Sequence, residues 1–176
     1  MSFQRIRRVV VIDFMARGPA VMSQANVVGF SIELLEQPNG WALDLAAQLI
    51  TKYDGEVDAI ALSGVPKHLE AGKTRILYPG YWKLMRSAKE TPIYSGDEIR
   101  SIFARWSLER ISKQEPRFFA AKKVLFHCGA AMDCASILEA AGAELHFADL
   151  NLLVGAPVRL KGLRGLEGAL KKMAPF

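Results

Sequence analysis

Only two cysteines, Cys128 and Cys134, occur in this chain of 176 residues. A disulfide scaffold is therefore excluded, and a reducing compartment suits the sequence better than an oxidising one. Long apolar runs are also missing. The longest uninterrupted aliphatic stretch, Val9 to Ile12, is far short of the roughly 20 residues that span a bilayer as a helix. Three arginines, Arg5, Arg7 and Arg8, precede it as they would in a signal peptide, but Asp13 breaks the apolar segment and no small-residue cleavage site follows. The expectation is a cytoplasmic protein without a membrane partner, beginning with a strand. Low-complexity linkers and internal repeats are absent as well, and 51% hydrophobic against 23% charged residues describes a globular chain rather than a disordered one.

The net charge of +5 is unevenly distributed. Residues 67–123 hold thirteen Lys and Arg against six Asp and Glu, whereas residues 1–66 hold five against seven and residues 124–176 five against five. This basic segment also carries Tyr81, Trp82, Phe103, Trp106, Phe118 and Phe119, a mixture that nucleic-acid surfaces use. Those aromatics fall at core-facing helical positions, which argues against nucleic acid as a partner.

Periodicity divides the chain into alternating strands and helices. Arg8 to Phe14, Val27 to Glu36 and Val57 to Leu62 read as strands, with Met15 to Asn26 as a loop. Trp41, Leu45, Leu49 and Tyr53 mark a helix that Asn39 is placed to cap and Asp54-Gly55 ends. His68 to Leu77 reads as a small hairpin around Ala71-Gly72-Lys73. Tyr81, Leu84, Met85 and Ala88 follow helical spacing, and Thr91 to Tyr94 reads as a short strand. Ser95-Gly96-Asp97-Glu98 matches a capping box, so a helix should start there and bury Ile99, Ile102, Phe103 and Trp106. Lys123 to His127, Met132 to Ala141 and Glu144 to Asp149 form a strand, helix and strand, and Leu163, Leu166, Leu170 and Met173 line a terminal amphipathic helix. Such alternation predicts an α/β fold, a single Rossmann-like domain over 1–176 with a doubly wound, mostly parallel sheet and a small β-hairpin insertion.

Within that fold the most suggestive stretch is Cys128-Gly129-Ala130-Ala131, a tight turn after a strand, with Asp149 twenty residues on at the end of the next strand. In a dinucleotide site the turn's backbone approaches the pyrophosphate and the acid binds the ribose hydroxyls. Gly129 supplies one glycine of the G-x-G-x-x-G pattern, with Ala131 and Cys134 at the other two positions. Asp149 would repel a 2′-phosphate, so NAD is preferred over NADP. Ser63-Gly64 and Ser95-Gly96 also follow strands, and their hydroxyls and small residues suit a substrate cleft. Cys128, near a helix start, is a candidate nucleophile, although a small turn residue explains it as well. No metal site can be assembled, and His68 and His146 each stand alone.

From Asp54 onward, DGEVDAIALSGVPKHLEAGKTRIL, TPIYSGDEIRSIFAR and KKVLFHCGAAMDCASILEAAGAELHFADLNLLVGAPVRLKGLRGL together resemble a bacterial family labelled quinate 5-dehydrogenase. The resemblance spans about residues 54–170, and Gly142, Asp149, Gly155 and Pro157 lie in its most specific block. It implies a Rossmann-like fold and NAD(P)-dependent oxidation of a cyclic hydroxy acid such as quinate or shikimate. It also implies that the chain is the N-terminal portion of a longer protein. The alternative expectation is a non-catalytic small-ligand-binding or scaffolding domain. Either way a small molecule is the expected partner, and a homo-oligomer is compatible with both.

Overall fold

A computed structural model describes residues 6–131 and 134–173. The chain forms two compact units, Met1–Lys67 with Tyr78–Gly96, and His68–Leu77 with Asp97–Phe176. Among the described residues no helix is long and apolar enough to cross a membrane.

The first unit is built on strands β1 (Ile6–Asp13), β2 (Val21–Val27), β3 (Phe30–Pro38), β4 (Ala59–Ser63) and, after an excursion into the second unit, a short strand at Ile93–Tyr94. Their order is β2-β3-β1-β4 followed by that short strand. β1 runs parallel to β3 and β4, while β2 is an antiparallel edge. The β-branched run in β1 alternates in burial: Val10 and Ile12 are buried, and Val9 and Val11 are half-buried. β4 repeats the pattern with Ile60 and Leu62 against Ala59 and Ala61. The buried set forms a core with Ala46 and Ile50 of helix α1 (Leu43–Tyr53) and Tyr81 and Leu84 of helix α2 (Tyr81–Met85).

Two local expectations change here. Asn39 does not cap α1 with its side chain; its amide donates instead to the Ala42 carbonyl at 2.6 Å and shapes the turn before the helix. Residues 21–26, expected as loop, form β2 together with Val27, which was expected to open the following strand. The segment preceding the short strand is pinned by Asp54, whose carboxylate accepts from the backbone N–H of Lys89, Glu90 and Thr91 at 2.7, 3.0 and 2.8 Å.

The second unit contains hairpin β5 (His68–Ala71) and β6 (Thr74–Leu77); counting the Ile93–Tyr94 strand as β7, it continues with helix α3 (Asp97–Gln114) and strand β8 (Lys123–Phe126). Then come a 3₁₀ turn at Gly129–Ala131, helix α4 (Ala135–Ala140), β9 (Glu144–Phe147), α5 (Asp149–Val154), β10 (Leu160–Lys161) and α6 (Gly162–Met173). The start expected for α4 at Met132 lies outside the described residues. The sheet order is β10-β9-β8, with β8 parallel and β10 antiparallel to β9. Phe126 and Phe147 stack at 5.2 Å between centroids, and Leu69, Leu138, Leu145, Leu166 and Leu170 complete the core.

The doubly wound, mostly parallel Rossmann-like sheet is therefore not the fold. The strands divide among a five-stranded mixed sheet, a three-stranded mixed sheet and a two-stranded hairpin. A doubly wound sheet has helices on both faces and strands buried on both; here β1 and β4 are buried on alternate residues only.

Helix α3 also departs from expectation. Ile99, Ile102, Phe103 and Trp106 are 76, 69, 66 and 54% exposed, while the half-buried side carries Ser101, Ala104, Leu108 and Ile111. A helix with apolar residues on two sides can turn either inward. Arg100 donates to Asp97 in its first turn, in place of the expected Ser95 and Glu98 exchange.

Candidate functional site

The turn after β8 was the expected cofactor cradle, and its geometry is filled from within. Asp149, 2% exposed, accepts from the backbone N–H of Gly129 at 3.0 Å and of Ala130 at 2.8 Å. These are the donors a pyrophosphate would need. The carboxylate thus stands where the phosphate charge was expected, and it is not available to a ribose. Gly129 has its own packing reason: a Cβ there would come within 2.2 Å of the Phe147 ring, which is fully buried against Phe126. Its φ is not positive, so close approach rather than backbone conformation requires glycine. Cys128, Gly129, Ala130, Ala131 and Asp149 are brought together as foreseen, but as a self-satisfied buried turn. They do not fit NAD.

Cys128 is half-buried beside this turn. Desolvation raises its thiol pKa, the Asp149 charge raises it further, and the opposing pull of the Ala131 backbone N–H and of Arg100 is smaller. A protonated thiol is a poor nucleophile.

Ser63, Gly64, Ser95 and Gly96 belong to the first unit, whereas residues 128–131 and Asp149 belong to the second. Ser63-Gly64 and Ser95-Gly96 follow the neighbouring parallel strands β4 and β7, so they share the carboxyl edge of one sheet. Part of that edge is closed by other residues. Asp13 accepts from the N–H of Met15 and Ala16 at 2.8 and 3.2 Å, and a Cβ on Gly64 would come within 2.9 Å of Met15 Cγ. The described cavity at the carboxyl ends of β1 and β3, about 310 Å³, is lined by Arg17, Gly18, Pro38, Asn39 and Gly40 rather than by the serines.

A different group went unrecognised in the sequence. On the second unit's sheet, Val124, Phe126, Leu145 and Phe147 turn toward the core, which leaves Lys123 and Leu125 of β8, Glu144 and His146 of β9, and Lys161 of β10 on the other face. With Arg159 they line a cavity of about 360 Å³. Glu144 accepts from Lys161 at 2.8 Å and lies 3.3 Å from His146 Nε2. The Lys161 hydrogen bond, chiefly, with the Lys161, His146 and Lys123 charges, lowers the Glu144 pKa against a desolvation that opposes it. The available signal was period two: K-x-L on β8 and E-x-H on β9, with Lys161 of β10 beside them, put these five residues on one side, and Arg159 just before β10 joins them.

The sequence comparisons divide at nearly the same place as the structure. Residues 9–95 match a family described as Domain of unknown function (DUF8753). Residues 98–176 match a second, Domain of unknown function (DUF8754). The break between them falls where the first unit ends, at Gly96, although His68–Leu77 lies within the first match and the second unit. No curated protein and no solved structure matches the chain.

Proposed function

We propose that the chain is a non-catalytic ligand-binding or scaffolding protein rather than a nicotinamide-linked oxidoreductase. The observation carrying this reading is the Asp149 carboxylate on the N–H groups of Gly129 and Ala130. A dinucleotide bound there would have to displace a buried carboxylate and place its phosphates beside the same negative charge. The upward shift of the Cys128 thiol, caused first by burial, supports the reading, because a protonated thiol is a weak nucleophile. The shortage of cysteine supports a cytoplasmic setting.

A thermal-shift titration with NAD, NADP, quinate, shikimate and inorganic pyrophosphate at fixed ionic strength tests it. A ligand at 100 times its Kd stabilises the native state by about 2.7 kcal/mol, an effect of several degrees. The expected result is no saturable shift specific to NAD. A saturable shift with NAD that pyrophosphate does not reproduce would overturn the proposal.

A further inference from the structure

We infer that the outward face of the β8-β9-β10 sheet is a binding site for a compact divalent oxyanion carrying an apolar group. This rests on the ligand-binding reading above and assigns it a place and a chemistry. The cavity there is concave, and at about 360 Å³ it has the size of a small-molecule site. Its lining supplies three cations, Lys123, Arg159 and Lys161, against one acid, Glu144.

Glu144 is already engaged by Lys161 and His146. In the β8–β9 register Lys123 stands directly opposite Glu144, yet among the described residues neither Lys123 nor Arg159 forms an ion pair. Three cations against one acid leave the concavity with an excess of two positive charges, which match the two negative charges of a phosphate monoester or a dicarboxylate. The Arg159 guanidinium adds a fork that such planar or tetrahedral oxyanions accept in bidentate fashion.

Leu125 gives the site its apolar part. It is 67% exposed on β8, directly opposite His146, with charged groups around it. A ligand that covers Leu125 removes apolar surface from water while its oxyanion meets the cations, so a hydrophobic substituent should add affinity.

Isothermal titration at constant ionic strength with phenyl phosphate, phthalate and inorganic phosphate tests the assignment. The wild-type chain should bind phenyl phosphate about fivefold more tightly than inorganic phosphate. The order of phenyl phosphate and phthalate distinguishes a phosphate ester from a dicarboxylate as the natural class, and saturable binding of either supports the site. Lys123→Gln and Arg159→Gln, both at exposed positions, should each weaken the preferred probe about tenfold. Leu125→Ser should abolish the preference for the phenyl group while leaving inorganic phosphate unchanged. The assignment is overturned if no probe saturates, or if the Lys123→Gln/Arg159→Gln double variant binds as the wild type does. Failure of the broader reading would look different: an NAD response that pyrophosphate does not reproduce and that persists in the double variant.

Discussion

Replacing Asp149 by alanine removes the acceptor that, among the described residues, the N–H groups of Gly129 and Ala130 have, at 3.0 and 2.8 Å. Both donors sit on buried residues, and the carboxylate is itself 2% exposed, so water does not take its place without rearrangement. Each orphaned buried donor costs about 1–3 kcal/mol. The gain from no longer burying a carboxylate offsets part of that, which leaves a net loss of about 2–3 kcal/mol. For a unit of this size the melting temperature should fall on the order of 10–20 °C. Asp149→Asn should fall between wild type and alanine, because an amide offers one acceptor but turns an NH₂ toward the second donor. Urea denaturation of the second unit, with amide exchange at Gly129 and Ala130 as the local probe, measures the effect. If Asp149→Ala stays within about 0.5 kcal/mol of wild type with both amides still protected, the turn is not held by this carboxylate. The reasoning against a dinucleotide would then fail as well.

Two other consequences can be checked with further single variants. Three backbone N–H groups lower the Asp54 pKa, so its contribution to stability is present above the ordinary carboxylate value of 3.8 and is lost as pH falls through the lower folded value. Asp54→Asn should flatten that part of the acid-unfolding profile; an unchanged profile would mean the clamp on residues 89–91 does not form. On α3, Ile102→Gln should leave stability within about 0.5 kcal/mol, because the side chain is 69% exposed, and should reduce binding of a hydrophobic dye. A loss of several kcal/mol would put that stripe in a core.

Local periodicity made the elements legible more than their assembly. The β-branched run of β1, the turn residues of the hairpin and the leucine spacing of α6 each determine an element by themselves, and those elements stand close to where the sequence placed them. β2 was not legible, since residues 21–27 lie largely exposed on a sheet edge and need no apolar alternation. The orientation of α3 was not legible for the opposite reason: it offers two apolar stripes, and the larger one faces outward. At the turn, sequence order correctly brought Gly129 and Asp149 together. Spacing alone could not distinguish an aspartate that awaits a ribose from one that already holds the turn's own N–H groups. The cationic sheet face escaped notice because its residues are adjacent only through strand pairing.

The hairpin β5–β6 has a consequence for how the chain comes off the ribosome. It is synthesised in the middle of the first unit, yet it belongs to the second, where Thr74 Oγ1 donates to Glu167 of α6 at 3.2 Å and Leu69 is 1% exposed. Its partner helix emerges some ninety residues later, so Leu69 and Ala71 must wait uncovered while the remainder of both units is made. Contacts this distant in sequence form late and slowly. Cutting the gene between Gly96 and Asp97 would separate the hairpin from α6 permanently, and neither fragment would carry the complete second unit.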